Sequence, residues 1–368
     1  MDQKFLARDQ FQRLIDTLYK EGMWVVGPRV KEGTIVYETI DNVSQLPVGY
    51  RDKQSPGQYE LVKSKKQSGY FSWANGPQAI KPLTFTPKEA LWQAHQAKDG
   101  SLQFTPVVAE KKAVAILGVR ACDLGGLSLQ DQHFLDQEFV DPYYESRREG
   151  VFLIAVNCSH PADTCFCHAT GNGPSAKSGY DLVITELDDG FIISSEGERG
   201  KKILDSLSLQ NATAAHTSAQ EKQHKNSIAV QKRTLPSVEI ASTLAKQHSH
   251  SRWDDVAARC LACGNCTSVC PSCFCHIEFD EPELNGETTT HVRQWSSCFS
   301  SDHSYIHGVI IRKEIKARYR QWLTHKFSSW VVQYGRSGCT GCGRCITWCP
   351  VGIDITEELK HLCESGNE

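Results

Sequence analysis

The chain has 368 residues, 40% of them hydrophobic and 23% charged, with a formal net charge of −3. That length gives roughly two to three domains and ample chain for a buried core, and the near-neutral balance excludes a broad electrostatic pull toward nucleic acid or an acidic membrane. The 16 cysteines are unevenly spread, with four in 122–167 and twelve in 260–363. The start, Met1-Asp2-Gln3-Lys4-Phe5-Leu6, lacks the basic and apolar regions of a secretory signal. Apolar runs such as Val151–Val156 fall far short of the roughly 18 residues a membrane span needs. A cytoplasmic protein is therefore expected, and in a reducing compartment dense cysteine points to metal or redox chemistry rather than disulfides.

In chain order, 1–25 reads as a short amphipathic helix, with Phe5, Phe11, Leu14, Ile15 and Leu18 near helical spacing. Residues 26–110 mix strand-like pieces such as Thr34–Tyr37 with turn signals at Ser55-Pro56-Gly57 and Asn75-Gly76-Pro77. Ala113–Val119 and Val151–Val156 are continuous apolar runs, suited to strands buried on both faces. Helical patterns at Asp123–Leu135 and Tyr143–Glu149 lie between them, so the unit reads as a βαβ crossover. Asp188-Asp189-Gly190 between Asp181–Glu186 and Phe191–Ser195 predicts a hairpin. Gln, Ala, Ser, Lys and His dominate 208–250, which reads as a partly helical linker.

The predicted fold class is α+β. An N-terminal α/β domain spans 1–210, a linker spans 211–250, and an α-helical, ferredoxin-like dicluster domain spans 251–368. Val309–Trp330 reads as the longest C-terminal helix. Its Arg312, Lys313, Lys316, Arg318, Arg320 and Lys326 form either a solvated face or a basic docking surface.

Two runs carry the chemistry: Cys260-x2-Cys263-x2-Cys266-x3-Cys270-Pro271 and Cys339-x2-Cys342-x2-Cys345-x3-Cys349-Pro350. This is the spacing of bacterial iron–sulfur proteins, in which three close cysteines wrap one 4Fe–4S cluster and the fourth reaches the other. The spacing predicts one cluster on Cys260, Cys263, Cys266 and Cys349, and a second on Cys339, Cys342, Cys345 and Cys270. Zinc, which takes four ligands, would be oversupplied. Gly264, Gly341 and Gly343 suit tight loops that bring backbone N–H groups to cluster sulfurs.

Cys122 and Cys158 end the two apolar strands, and Cys165 and Cys167 follow in Thr164-Cys165-Phe166-Cys167-His168. Adjacent parallel strands bring their C-terminal ends to one sheet edge, where α/β folds place ligands. A third 4Fe–4S cluster on Cys122, Cys158, Cys165 and Cys167 is the resulting expectation; the alternative is a set of buried free thiols. Ser272-Cys273-Phe274-Cys275-His276 echoes the first CFC element. With Cys298 it supplies alternative ligands, Cys273, Cys275 and Cys298, that could complete or replace part of the N-terminal set. His168 and His276 read as packing or hydrogen-bonding groups, and Cys363 as a bystander. There is no GxGxxG, Walker loop or HExxH, and no substrate-processing site is recognisable. Clusters without such a site read as an electron conduit.

The segments GVRACDLGGL (118–127), DPYYESRRE (141–149), NCSHPADTCFC (157–167), CLACGNCTSVCPSCFC (260–275), WSSC (295–298) and CTGCGRCITWCPVGIDI (339–355) resemble the beta subunit of soluble sulfhydrogenases, cytosolic nickel–iron hydrogenases that can also reduce sulfur. The chain is also similar to the first-named subunit of anaerobic sulfite reductase. The likeness runs in order through roughly 110–360, and more loosely through the first hundred residues. It implies an electron-transfer subunit. Such a subunit relays electrons between a partner that binds flavin and NAD(P) and a nickel–iron catalytic partner, or a sirohaem-bearing partner in the sulfite reductase reading. A stand-alone ferredoxin-like carrier and an iron–sulfur sensor or scaffold are the readings from other classes. The eight cysteines of the two runs carry over position by position. Gly171-Asn172-Gly173-Pro174 departs from the GTGP expected of the family.

Overall fold

The computed structural model describes residues 3–64, 69–108, 111–284 and 286–364. Its N-terminal half is organised on an eight-stranded mixed sheet. The strands run in the order Gln210–Asn211, Lys4–Ala7, Gly190–Ser195, Leu182–Glu186, Val151–Val156, Val114–Val119, Trp24–Lys31 and Thr34–Thr39. The four consecutive strands from Leu182–Glu186 to Trp24–Lys31 are parallel, and the flanking pairs are antiparallel. Every residue of Val151–Val156 is buried, as its unbroken apolar run requires of a strand covered on both faces. The helices Ala121–Phe134 and Pro142–Glu149 make the crossover between the central strands. The second starts on Pro142 behind an Asp141 cap, whose carboxylate accepts from Tyr143 and Tyr144 N–H at 3.0 and 2.8 Å.

The single amphipathic helix expected over 1–25 is shorter than that. Only Gln12–Lys20 is α-helical, burying Leu14, Ile15 and Leu18, while Lys4–Ala7 is a strand paired to Gly190–Ser195. Phe5 and Leu6 serve the sheet rather than a helix face. The hairpin around Asp188-Asp189 forms as expected. Gly190 also lets Lys4–Ala7 approach, since a Cβ there would strike the Leu6 carbonyl. Residues 214–229 form a helix, and its Ser227 is buried with its hydroxyl donating to the Cys158 carbonyl at 2.7 Å.

The stretch between the two cysteine runs is not wholly helical. His276–Pro282 and Thr288–Trp295 form a hairpin that pairs with Lys88–Gln96, and Leu102–Pro106 completes a second, four-stranded sheet. The long helix expected from Val309 begins only at Ile315. Val309–Ile310 pairs with Tyr305–Ile306, and the helical segment runs Ile315–Thr324, a π turn His325–Ser329, then Trp330–Tyr334. Trp253, Tyr319, Trp322, Leu323, Ile355 and Leu359 pack the core of this region. Among the described residues no helix is long and apolar enough to cross a membrane.

The basic segment is not an open charged face. Lys326 is 4% exposed, and its ammonium donates to Cys270 Sγ at 3.4 Å, Ser272 Oγ at 3.1 Å and the Gly338 carbonyl at 3.1 Å. Arg318 donates to the Arg312 and Phe299 carbonyls, Arg320 to the His248 carbonyl, and Lys316 pairs with Asp254 at 2.8 Å. These cations close the fold around the segment.

Candidate metal centre

Three cavities gather the cysteines. Cys260, Cys263, Cys266 and Cys349 line the first, together with Cys345 and the apolar Tyr319, Trp322 and Ile353. Cys270, Cys339, Cys342 and Cys345 line the second, with Cys266. Cys122, Cys158, Cys165 and Cys167 line the third, with Cys342. The cavities are therefore neighbours in a row, with Cys266 and Cys345 between the first and second and Cys342 between the second and third.

Local chain geometry explains each set. Three cysteines of each run lie on the loop and single helical turn that follow one another in the motif, Asn265–Ser268 in the first and Arg344–Thr347 in the second. Backbone N–H groups point at sulfur: Ala262 to Cys260 at 3.4 Å, Gly341 to Cys339 at 3.4 Å, and Ile353 to Cys349 at 3.3 Å. Gly341 and Gly343 hold left-handed φ values of 66° and 73°, but the structure adds a second reason for them. A Cβ on Gly341 would lie 2.6 Å from the Cys167 backbone, and one on Gly343 would strike the Thr164 carbonyl. The second run thus lies directly on the loop that carries Cys165 and Cys167. Phe166 N–H donates to the Gly341 carbonyl at 2.8 Å, and the Phe166 ring belongs to the C-terminal core. Gly264 is also left-handed, at 77°, and backs onto Ser297.

The third cavity is assembled by the sheet. Val114–Val119 and Val151–Val156 run parallel, so Cys122, in the first turn of the following helix, and Cys158, two residues past its strand, reach one edge. Two buried guanidiniums line the same cavity. Arg344 pairs with Asp123 at 2.6 Å, both side chains fully enclosed, and Asn75 donates to the same carboxylate. Arg120 donates from Nη2 to the Phe71 and Trp73 carbonyls at 2.9 and 2.8 Å and lies 4.5 Å over the Trp73 ring. Its Nε and Nη1, and the Nε of Arg344, have no partner. Buried donors left unpaired are costly. An anionic group held among four thiolates would satisfy them, so this donor set suits an iron–sulfur cluster.

Burial pushes the thiols of Cys122, Cys165, Cys266 and Cys345 well above the ordinary cysteine value. It pushes Cys167 and Cys339 up to about 12. Iron binding must displace the protons that burial favours on these thiols, whereas Cys270 is held well below the ordinary value by its hydrogen bond with Cys273 and by Lys326. Among the described residues no three His, Cys, Asp or Glu side chains close on one ion-sized point.

Cys273, Cys275 and Cys298 do not reach the third cavity. Cys273 is hydrogen-bonded to Cys270 and Cys275 to Cys298, and Cys273 and Cys275 line a separate cavity that borders the first one at Cys263, Gly264 and Asn265. His168 is exposed, and the His276 ring nitrogen meets the Phe274 carbonyl at 3.1 Å. Cys363 packs half-buried on the C-terminal core, away from these cavities. Sequence reasoning missed Arg120, Arg344 and Lys326 as parts of the site. A basic residue inside each of GVRACD and CGRC was the available signal; for Lys326 there was none.

Residues 259–353, spanning both cysteine runs, match the family described as 4Fe-4S dicluster domain. Over 369 aligned residues, 98% of this chain and 98% of the relative, the chain is 25% identical to the sulfhydrogenase 2 subunit beta of Pyrococcus furiosus. No solved structure matches it. Both matches agree with the resemblance drawn from the cysteine runs and GVRACD, and the C-terminal region is a 4Fe–4S dicluster domain attached to a sheet-rich N-terminal part.

Proposed function

We propose that this chain is the iron–sulfur electron-transfer subunit of a cytoplasmic, sulfhydrogenase-like complex. The observation that carries the reading is the row of three cysteine-lined cavities, joined through Cys266, Cys345 and Cys342. Likeness along nearly the whole chain to a protein named as a sulfhydrogenase beta subunit supports it.

The ligand sets are Cys260, Cys263, Cys266 and Cys349 for one cluster, Cys339, Cys342, Cys345 and Cys270 for the second, and Cys122, Cys158, Cys165 and Cys167 for the third. Iron–sulfur clusters supply reversible one-electron transfer at potentials tuned by hydrogen bonds, charge and burial. The protein's own groups do that tuning. The N–H donors of Ala262, Gly341 and Ile353 address sulfur, Lys326 addresses Cys270, and Arg120 and Arg344 bring positive charge to the third set. The third set is carried by the N-terminal part and the other two by the C-terminal part, but the division at 210 and 250 is not clean, because Lys88–Gln96 shares a sheet with 276–295, Ser227 packs on Cys158, and Cys342 and Arg344 line the third cavity. The partners are a flavin- and NAD(P)-binding subunit on one side and nickel–iron hydrogenase subunits on the other.

The test is anaerobic purification of the tagged chain from its own cells. Co-elution with nickel and flavin is the expected result. Sirohaem in place of nickel, or the chain eluting alone, would contradict the assignment.

A further inference from the structure

Three cysteines outside both runs form a group of their own. Cys273 and Cys275 follow Pro271, and the hairpin register His276↔Trp295 brings Cys275 beside the Cys298 loop, with Ser296 N–H donating to the Cys275 carbonyl at 2.9 Å. Cys275 and Cys298 are in hydrogen-bond contact, and Cys273 contacts Cys270. Cys273 and Cys298 are each 9% exposed. Cys273 and Cys275 line a cavity of about 320 Å³ with Lys81, Cys263, Asn265, Thr267 and Ser297, and Cys298 lies behind Cys275, outside this lining. None of the three lines the cavities assigned above.

The surroundings are cationic. Lys81 is buried, donates to the Ser268 and Cys273 carbonyls at 2.8 and 3.4 Å, and lies 3.9 Å over the Trp295 ring. Lys326 approaches from the other side, through Cys270 and Ser272. Among the described residues the partners of both ammonium groups are carbonyls, a hydroxyl, a ring and a thiol, with no carboxylate to offset their charge. Two buried cations beside three thiols call for an anion.

We propose that Cys273, Cys275 and Cys298 hold a further 4Fe–4S cluster with three cysteine ligands, its fourth iron facing the cavity and open to a small oxygen- or sulfur-donor ligand. The site rests on the iron–sulfur reading above and takes none of its ligands, although Cys263 of the first set borders the same cavity. Cys270 stays with the second set, and its contact with Cys273 makes the two sites neighbours. A structural zinc site takes four protein ligands, and this group offers three thiols with no His, Asp or Glu in the described lining. A cubane core of about +2, or about +1 when reduced, with three thiolates carries a net charge of about −1 or −2, which the two ammonium groups offset. The Thr267 and Ser297 hydroxyls, 2.8 Å apart, provide polar lining on the open side.

The test uses the full chain, loaded anaerobically with iron and sulfide. Cys275→Ser and Cys298→Ser should each lose about four iron atoms per chain, one cubane's worth, whereas Cys363→Ser should lose none. Cyanide added to the unmodified chain should change the electron paramagnetic resonance of one cluster, because an open iron accepts it, and Cys275→Ser should lack that response. Unchanged iron in Cys275→Ser and Cys298→Ser, or a wild-type spectrum indifferent to cyanide, would overturn the proposal. The cyanide titration needs no variant to fold. Losses on Cys122→Ser or Cys345→Ser would still occur without this site, so its failure is separable from failure of the three-cluster reading.

Discussion

The first and third cavities offer the same four-thiol donor set in opposite settings. Around Cys260 the lining is Leu261, Phe299, Tyr319, Trp322 and Ile355, with no charged side chain among the described residues, and Cys263 is exposed. Around Cys122 two buried guanidiniums line the cavity, and three of their nitrogens lack a partner. Ligation alone would make the two sites equivalent. Positive charge in a low-dielectric setting favours the more reduced, more negative form of a cluster. On the proposed ligand sets, the cysteines would fix where iron sits, and the charge packed around them would fix how readily it takes an electron.

The largest expected effect breaks the row between the two settings. Cys345→Ser removes a thiol that borders both the first and the second cavity. It should cost about four iron atoms per chain and abolish electron transfer through the intact complex, measured as dye reduction by the partner enzyme. Survival of that transfer would refute the conduit role. Next is Arg344→Met, which leaves Asp123 buried without its ion-pair partner at 2.6 Å. Removing one member of such a pair costs about 3–5 kcal/mol, to be read as a lowered unfolding midpoint. Gly341→Ala forces a left-handed residue and places a Cβ 2.6 Å from Cys167 backbone atoms. A loss of about 1–3 kcal/mol is expected, with spectral change at both the second and third sites because the loops touch there.

Arg120→Gln sharpens the comparison rather than breaking it. It removes a positive charge from the third cavity alone, so redox titration should show one cluster shifted to lower potential and the first-cavity cluster unmoved. Equal shifts at both would show that the charge does not act locally. The smallest effect belongs to Lys316→Ala. The Lys316–Asp254 pair at 2.8 Å is largely exposed, and its loss should cost less than about 1 kcal/mol and leave every cluster signal in place.

The parts of the fold legible in the sequence are those whose burial is written in a long pattern. Val114–Val119 and Val151–Val156 read as two-face-buried strands, and the helix Ala121–Phe134 between them follows from the crossover. Lys4–Ala7 reads wrongly as helix because four residues are too few to distinguish periods of 2 and 3.6, and its partner Gly190–Ser195 lies far along the chain. The hairpin 276–295 is invisible for a related reason. Glu278, Asp280, Glu281 and the threonines at 288–290 give no apolar alternation, and its stability comes from pairing with Lys88–Gln96. Among site residues, the cysteine spacing is local and can be read directly. Lys326 cannot, since what makes its burial tolerable is Cys270, Ser272 and Gly338, gathered from elsewhere by the fold.

The central claim is that the sheet edge of the N-terminal half holds iron as the two motif cavities do. Iron and acid-labile sulfide counted per chain in the unmodified protein and in Cys165→Ser test it most directly. A fall of about four iron atoms, with the signals of the two motif clusters retained, is the predicted result. Identical counts in the two proteins would contradict the account and return Cys122, Cys158, Cys165 and Cys167 to the status of buried thiols.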